Sequence, residues 1–408
     1  MLDLKFIRQN PEKVKEGLAK KQAKVDIDRL LSLDEKKREY LQKIESLRFE
    51  QNKLGKGDIT KAQEIKAEIK KLEPELADIG KELDSLLRQI PNLPLDDVPV
   101  GKDERDSVVL REVGKKTEFK FKPKDYLEIA EALDLVDVKR AAKVSGTRFG
   151  YLKGEAAMLE IALINLAFDV LTKEGFVPII PPVIIKTEMM EAMGYIDTPE
   201  DKAERYFLEK SNLVLVGTSE QSIGPMHQGE VLTEKELPKR YVAFSSCFRE
   251  EAGAYGKDTR GILRVHQFDK VEMFSICEPR KSKEEHLFLL KMEEKLMKFL
   301  NLPYRVVHLS SGDIARPSVS TYDIETWLPG QGQYRETHST SNCTDYQARR
   351  LNIRYRSGKG VEFVHTLNGT AFAIGRMLIA IIENYQKSDG SVVVPKVLQK
   401  YTGFKKIA

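Results

Sequence analysis

The chain has 408 residues and a mass of 46.5 kDa, which is enough for two domains and one substantial hydrophobic core. Its composition, 41% hydrophobic and 32% charged, is that of an ordinary globular protein. A formal net charge of +4 is too small to identify a nucleic-acid-binding protein, so any surface for nucleic acid must be a local basic patch.

The cysteines and the N-terminal segment indicate the cellular compartment of the protein. Cys247, Cys277 and Cys343 are far apart and form no C-x-x-C pair, which disfavours a disulfide framework or a cysteine zinc site. The first 17 residues contain no apolar signal core, and no apolar run approaches the length of a membrane span. These features predict a cytoplasmic protein in a reducing compartment, without a membrane partner.

Residues 27–90 are dense in helix-forming Lys and Glu and carry two apolar seams at the coiled-coil spacing. The short segment 55–58 separates the seams, which favours an antiparallel helical hairpin. Periodicity alone leaves a dimerisation coiled coil open as the alternative. Pro74 lies inside the second helix and predicts a kink. The first seam contains Leu33, Tyr40, Ile44, Leu47 and Leu54, and the second contains Ile65, Ile69, Leu72, Leu76, Ile79, Leu83, Leu86 and Ile90.

The proline- and acid-rich segment 90–106 reads as a linker, so we predict an N-terminal domain over 1–100 and a second domain over 101–408. In the second domain an apolar helix over 155–176 leads into an apolar strand over 177–185. The pattern indicates an α+β fold with a mainly antiparallel sheet. Further strands are predicted at 211–220, 240–250, 262–276, 304–310, 320–329 and 360–370, and helices at 283–300 and 371–386.

No G-x-G-x-x-G or P-loop motif follows a strand, which excludes the Rossmann and P-loop nucleotide sites. A charged hairpin over 248–272 offers another way to hold a nucleotide. Arg249 and Glu251 are two residues apart, and Arg264, Phe268 and Glu272 fall on an alternating pattern with Lys270. One sheet face with this composition can bind phosphate through arginine and stack an aromatic ring on a base.

Several motifs in one order resemble the seryl-tRNA synthetase family of class II aminoacyl-tRNA synthetases. FREEAG (248–253) with RVHQFDKVE (264–272) is similar to motif 2, residues 364–386 to motif 3, and residues 174–184 to motif 1, with Pro182 as its proline. The N-terminal segment and the hairpin match too, so the resemblance covers essentially the whole chain. It implies the class II antiparallel sheet flanked by helices, preceded by a coiled-coil arm, in a homodimer. The remaining matching segments are 215–221, 322–336 and 341–355.

The resemblance implies attachment of L-serine to tRNA-Ser through a seryl-adenylate made from ATP. Arg249 is expected to bridge the serine carboxylate and the α-phosphate, and Arg264 to reach the polyphosphate. Adenine is expected to lie between Phe268 and Arg376, with Glu251 accepting from its amino group. Glu336 and Ser339 are the expected Mg²⁺ ligands, and the expected ATP-binding set is completed by Glu250, Thr337 and His338.

Serine recognition is assigned by the same resemblance. Thr218, Glu220 and Glu272 are expected to bind the amino and hydroxyl groups, with Thr370 near the hydroxyl. A site built to bond a hydroxyl rejects alanine because its own polar groups are then left unpaired. The histidines show no H-E-x-x-H spacing, and no zinc is expected. The serine-binding set is completed by Ser219, Asn368 and Arg249.

The chain departs from the usual family pattern at Ser219, at Thr337 with His338, at Thr370, and in a short arm. The family reads the long variable arm of tRNA-Ser with its coiled-coil hairpin, and the resemblance leaves tRNA-Sec open as a second substrate. Three rival functions also fit parts of the sequence: activation of an amino acid for a carrier protein, RNA binding with an inactive catalytic domain, and a threonyl or prolyl synthetase. Basic residues near the arm tip are Arg48, Lys53, Lys56 and Lys61, and the hairpin loop expected to face the tRNA acceptor end contains Tyr255, Lys257, Asp258 and Arg260.

Overall fold

The computed structural model describes residues 1–55, 58–252, 260–358 and 360–408. It divides into two compact units, Met1–Leu93 and Pro94–Ala408. The domain limits predicted at residues 100 and 101 stay a prediction. Within the described residues, every helix is too short or too polar to cross a membrane.

Over its described residues, 1–55 and 58–93, the first unit contains four helices, and the two long ones form an antiparallel hairpin. Asp26 starts the first long helix by accepting a hydrogen bond from the backbone N–H of Arg29 at 2.8 Å. The ion pairs Arg29–Glu82 and Lys43–Glu68, at 2.8 and 2.7 Å, join the two helices. Because the residue number rises along one helix while that of the partner falls along the other, the helices are antiparallel. The predicted arm is therefore an intramolecular hairpin. The four helices are α1 (Leu4–Gln9), α2 (Pro11–Lys20), α3 (Ile27–Lys53) and α4 (Ile59–Gln89).

The apolar seams of α3 and α4 form two buried clusters. Ile44, Ile65, Ile69 and Leu72 pack together in the outer part of the hairpin. At its base, a second cluster joins the long helices to α1 and α2. Helix α4 runs as one element through Pro74, where the sequence predicted a kink. The base cluster contains Ile7, Val14, Leu18, Ile27, Leu30, Leu33, Leu83, Leu87 and Ile90.

The second unit is built on an eight-stranded sheet in the order β1-β11-β12-β13-β16-β10-β9-β4. All neighbours in it are antiparallel except β4 and β9, so the predicted α+β class is confirmed. The strands are β1 (Val108–Val113), β2 (Val136–Asp137), β3 (Tyr151–Leu152), β4 (Val177–Ile179), β5 (Ile184–Lys186), β6 (Phe207–Leu208), β7 (Leu213–Leu215), β8 (Val231–Thr233), β9 (Lys239–Phe248), β10 (Gln267–Cys277), β11 (Tyr304–His308), β12 (Ser320–Leu328), β13 (Gln333–Thr344), β14 (Arg354–Ser357), β15 (Gly360–Phe363), β16 (His365–Ala373), β17 (Val392–Val393) and β18 (Lys406–Ile407).

One face of this sheet packs on helices and forms the main hydrophobic core. Val271 and Met273 of β10 point into that core, where they meet the apolar faces of α7, α11 and α13. The side chains that alternate with them on β10 point to the opposite face, because successive side chains along a strand lie on opposite faces of the sheet. The helices of this unit are α5 (Tyr126–Ala132), α6 (Val138–Ser145), α7 (Glu155–Leu171), α8 (Thr187–Met193), α9 (Pro199–Ala203), α10 (Glu220–Ile223), α11 (Ser282–Leu300), α12 (Tyr346–Leu351), α13 (Ile374–Asn384) and α14 (Gln399–Thr402).

Four predicted strands need correction. The strand expected over 360–370 is split into β15 and β16, which lie in different sheets, and the strand expected over 211–220 is only the short β7, because Glu220 begins helix α10. The strand expected over 177–185 is two strands, β4 and β5, in different sheets, because Pro181 and Pro182 lie between them. The strand expected over 262–276 begins only at Gln267, so Arg264 precedes it. The central strand β13 was not predicted at all.

Candidate active site

The face of the sheet opposite the main hydrophobic core carries a cavity of about 590 Å³. Side chains from β10, β13 and β16 meet there with the loop after β7, the segment after β9 and the first turn of α13. Most of the residues expected at an active site lie in one place. The cavity is lined by Thr218, Glu220, Arg249, Glu251, Arg264, Phe268, Glu272, Glu336, Thr337, Ser339, Asn368, Thr370 and Arg376.

Strand β10 supplies the floor of the cavity. Phe268, Lys270 and Glu272 occupy alternate positions on it, and Glu272 is opposite Thr370 of β16 in the register. Arg264 lies before the strand, so the continuous row of side chains predicted for the hairpin is wrong at that position. An ion pair nevertheless brings it to the cavity: its Nη1 lies 2.8 Å from Oε2 of Glu251.

Three arginines concentrate positive charge at one end of the cavity. The guanidinium of Arg249 lies 5.2 Å from the ring centroid of Phe268. Arg376, on the first turn of α13, contacts Oε1 of Glu336 at 3.0 Å. Burial opposes ionisation of Glu336, but Arg376, helped by Arg249 and Arg264, holds the pKa of this carboxyl below its usual value. Guanidinium groups around a cavity can bind the oxygens of a polyphosphate.

Oxygen ligands gather beside this arginine cluster. Glu336 and Ser339 both line the cavity from β13, and Asp323 of β12 is opposite Ser339 in the register. Burial, followed by the charge of Glu336, raises the pKa of Asp323 well above its usual value. Among the described residues, Oδ1 of Asp323 has no hydrogen-bond partner. Carboxylate and hydroxyl oxygens are the donors that Mg²⁺ prefers, so Glu336 and Ser339, the two of these residues that line the cavity, fit that ion.

The other end of the cavity is a buried pocket with two carboxylates. Oε1 of Glu220 accepts hydrogen bonds from the hydroxyl of Tyr195 at 2.8 Å and from Nε2 of Gln347 at 2.9 Å. Burial and the nearby Glu272 raise the pKa of Glu220. Nothing in the described residues hydrogen-bonds the buried hydroxyl of Thr218. This arrangement offers acceptors and a free hydroxyl to a small ligand that carries an ammonium group.

The pocket also contains Lys270, which the sequence showed on the alternating face without assigning it a role. Lys270 is 6% exposed and forms an ion pair with Oε2 of Glu272, which is 1% exposed. The same carboxylate oxygen lies 3.4 Å from the hydroxyl of Thr370. Lys270 and Thr370 therefore fix Glu272 at the floor of the pocket.

Sequence reasoning also missed Arg205, Tyr195, Glu204, Gln221 and Ser341, which line the cavity as well. Arg205 follows the short helix α9 in a segment without regular periodicity. No local pattern distinguishes such a residue from a surface arginine. Only the tertiary fold brings it to the cavity.

His338 was expected among the ATP-binding residues, and the structure does not bring it to the cavity. It is fully buried on β13 opposite Ile324, its ring lies against Phe372, and its Nδ1 is 2.9 Å from the hydroxyl of Thr337. Burial lowers the pKa of His338 to about 3, so the ring is neutral. The alternation of side chains along β13 turns it away from the lining residue Ser339.

Two further expected residues also lie outside the cavity lining. Ser219 is fully buried, with its hydroxyl 2.7 Å from that of Ser245. Glu250 comes after the end of β9, and its backbone N–H donates to the carbonyl of Glu204 at 3.2 Å. Neither side chain is placed to touch a ligand in the cavity. The loop residues Tyr255, Lys257 and Asp258 lie outside the described residues.

Comparison with known proteins identifies the family. Residues 206–385 match the tRNA synthetase class II core domain (G, H, P, S and T), and residues 1–94 match the seryl-tRNA synthetase N-terminal domain. A serine–tRNA ligase from Dictyoglomus turgidum is 44% identical over 422 residues, covering 100% of this chain and 99% of that protein. The chain belongs to the seryl-tRNA synthetase family.

Two solved structures place the whole chain in this family. A seryl-tRNA synthetase from Pyrococcus horikoshii, complexed with ATP, aligns with a TM-score of 0.93 and 42% identity and covers 100% of this chain and 99% of its own. A cytoplasmic serine–tRNA ligase from Naegleria fowleri, in complex with AMP, aligns with a TM-score of 0.90 and 35% identity, covering 100% and 98%. The predicted family, the class II sheet and the preceding helical hairpin are confirmed.

Proposed function

We propose that this chain attaches L-serine to tRNA-Ser in two steps, with ATP as the energy source and seryl-adenylate as the intermediate. The observation that carries the proposal is the joined cavity. A pocket with Thr218, Glu220 and Glu272 opens beside a wall that carries Arg249 and Arg376. The pocket suits a small amino acid, and the wall suits a nucleotide.

In the first step, a serine carboxylate oxygen forms a bond to the α-phosphorus of ATP and the bond to pyrophosphate breaks. Two anions must meet while negative charge increases at phosphorus, so the protein's task is positioning and electrostatic stabilisation. Arg249 lies between Gly217, which begins the pocket loop, and Phe268 on the nucleotide side. This position supports the proposal that Arg249 contacts both reactants at once.

The nucleotide is held by the remaining residues of the wall. Phe268 stacks under adenine, Arg376 covers the opposite face, and Glu251 accepts from the adenine amino group. Arg264 contacts the polyphosphate. Mg²⁺, when bound with ATP, supplies further positive charge to the phosphates; Glu336 and Ser339 are the residues that would hold it.

Selection of serine rests on the buried Glu272. Its carboxylate, fixed by Lys270, accepts a hydrogen bond from the serine hydroxyl, with Thr370 alongside. Alanine would leave these buried groups unpaired, which costs binding free energy. Glu220 and Thr218 receive the ammonium group, which compensates the carboxylate of Glu220.

In the second step the terminal ribose of tRNA takes the seryl group, and the arm selects the tRNA. The hairpin α3–α4 reads the long variable arm of tRNA-Ser by shape and backbone charge. Near its tip, Arg48 is paired with Glu73 at 3.0 Å and Lys53 lies 4.1 Å from the ring centroid of Phe49. Lys56 lies outside the described residues. tRNA-Sec is a candidate second substrate on the same reasoning.

A homodimer completes the proposal, formed around the segment that resembles motif 1. Met158 and Ile161 of α7 and Val177 of β4 expose large apolar side chains there, and Ile180 is 72% exposed. An apolar surface of this kind is typical of an interface between subunits. The cytoplasmic location predicted from the sequence belongs to the same proposal.

Amino-acid-dependent exchange of pyrophosphate into ATP tests the activation step. With purified protein and Mg²⁺, serine is expected to support exchange, whereas alanine, threonine and cysteine are expected to support little. The same assay run with a chelator should lose activity and recover it when Mg²⁺ is restored. Absence of serine-dependent exchange would remove the basis for the proposed activity.

A second assay tests the role of the arm. Transcripts of tRNA-Ser with and without the variable arm are charged under equal conditions, and an otherwise intact transcript with a changed anticodon serves as the control. Charging should fall only when the variable arm is removed. Equal charging of all three transcripts would refute the role given to α3 and α4.

A further inference from the structure

Two arginines, Arg205 and Arg249, lie beside Gly217, where the amino-acid end of the cavity joins the end that carries the arginine cluster. Nε of Arg249 donates a hydrogen bond to the carbonyl of Gly217 at 3.2 Å. A Cβ atom placed on Gly217 would lie 3.2 Å from Nη1 of Arg205 and 3.5 Å from Cγ of Arg249. Both arginines therefore flank Gly217, immediately before the pocket residue Thr218, and both line the cavity.

Within the described residues, this pair of cations has no counter-ion in ion-pair contact. Neither Arg205 nor Arg249 forms a salt bridge there, and the buried Nε of Arg205 has no hydrogen-bond partner. Among the residues that the structure describes, the guanidinium of Arg205 donates one hydrogen bond, to the carbonyl of Glu204 at 3.3 Å. Burial and the charge of Arg249 lower the pKa of Arg205. Two like charges held together in a partly desolvated place are unfavourable unless an anion joins them.

The position of Arg205 indicates which anion this is. Its guanidinium lies 5.6 Å from the ring centroid of Tyr195, and the hydroxyl of Tyr195 donates to Glu220 in the serine pocket. We propose that Arg205 and Arg249 together bind the carboxylate of serine before adenylation. This inference rests on the proposed function and adds a substrate-binding residue to it.

The chemistry of the step predicts how Arg205 contributes. The serine carboxylate carries a full negative charge before reaction, and it loses that charge when one oxygen bonds to the α-phosphorus and pyrophosphate leaves with the bonding electron pair. An ionic contact to the carboxylate is therefore strongest in the ground state. Such a contact lowers KM for serine more than it raises kcat.

The test compares wild type with Arg205→Gln in the pyrophosphate exchange assay, and uses serinol as a competitor because it has the ammonium and hydroxyl groups of serine but no carboxylate. Loss of charge-assisted hydrogen bonds should raise KM for serine by about 10- to 100-fold. KM for ATP and inhibition by serinol should change by less than about 3-fold, since neither involves this carboxylate contact. Arg205→Lys keeps the charge without the planar fork and should give an intermediate KM.

Arg140→Gln is the matched control, because Arg140 is an exposed arginine paired with Asp137 at the start of α6 and does not line the cavity. It should leave all three constants unchanged. An unchanged KM for serine in Arg205→Gln, an equal loss of serinol binding, or a rise confined to KM for ATP would each overturn the inference. If wild type itself shows no serine-dependent exchange, the proposed function fails before this inference is reached.

Folding is checked separately. Removing one of two adjacent, partly buried cations should leave the midpoint of urea unfolding equal to or above that of wild type. If Arg205→Gln does not fold, Arg205→Lys carries the test, with a KM for serine raised by about 3- to 10-fold and serinol inhibition unchanged. A Lys variant with a wild-type KM for serine would then overturn the inference.

Discussion

Lys270→Met is expected to destabilise the second unit strongly, because it leaves Glu272 as an unpaired carboxylate. Both members of the pair are buried, at 6% and 1% exposure, and they are in direct ionic contact. Removing one partner of such a pair costs about 3–5 kcal/mol. Replacing both by neutral groups of similar size should cost only about 1 kcal/mol or less, because the desolvation penalty disappears together with the attraction.

A double-mutant cycle with Lys270→Met, Glu272→Gln and the double variant measures this. The chain has one tryptophan, Trp327, which lies in β12, so its fluorescence during urea unfolding reports on the second unit. The expected coupling energy is about 2–4 kcal/mol. Lys406→Met is the control, since the Lys406–Asp389 pair is exposed and should contribute little to stability.

A cost below about 1 kcal/mol for Lys270→Met would refute this reasoning. It would mean that water or another group compensates Glu272 in the folded protein. A coupling energy near zero with two large single effects would show instead that each residue acts through separate contacts.

Two further predictions concern pH and the arm. Burial and the neighbouring Asp269 raise the pKa of Glu160 to about 8, above the usual 4.5 of an unfolded chain. The stabilisation that comes from the proton bound to Glu160 is complete below pH 4.5 and is lost as the pH rises towards 8. Over that range Glu160→Gln should therefore become more stable relative to wild type. At pH 8.5 the difference in unfolding free energy should exceed about 1 kcal/mol. Tryptophan fluorescence during urea unfolding at pH 5 and pH 8.5 measures the difference; an equal difference at both pH values would contradict it. Ile69→Ala in the arm should cost about 2–4 kcal/mol in the stability of the hairpin, because Ile69 packs with Ile44 and Leu72. Circular dichroism should detect this loss of stability, and charging of tRNA-Ser should fall. Serine-dependent pyrophosphate exchange and the unfolding transition of Trp327 should stay unchanged. An equal loss of pyrophosphate exchange would contradict the view that the two units are independent.

The sequence predicted those elements whose apolar residues recur at a regular spacing. The heptad-like seams located α3 and α4, and Ile44, Ile65 and Ile69 are buried between them as the spacing required. The motif resemblance likewise placed most of the cavity lining, since a run such as 264–272 carries several site residues in fixed spacing.

Other features depended on tertiary structure. Strand β13 has a nearly uninterrupted polar sequence, QYRETHSTSNCT, so no alternation of apolar residues marks it, although it lies at the centre of the sheet. Its register decides that Ser339 faces the cavity while His338 is buried behind it. The resemblance named both residues, and only the strand's geometry could separate them.

Arg205 is a cavity residue that could not be predicted from the sequence. It belongs to none of the motifs, and it reaches the cavity because the segment after α9 packs beside Gly217 and Tyr195. A long-range contact of this kind leaves no signal in a single sequence. Lys270 was visible on the alternating face, but its role depends on the burial of its partner Glu272.

The central claim is that the chain transfers serine to tRNA-Ser, and charging of a tRNA-Ser transcript with radiolabelled serine tests it most directly. With purified protein, ATP and Mg²⁺, the label should become acid-precipitable in an amount close to that of the added transcript. Labelled alanine and a transcript for a different amino acid should give only background. Serine-dependent pyrophosphate exchange without any charging of tRNA-Ser would contradict the claim, because the activated serine would then have another acceptor.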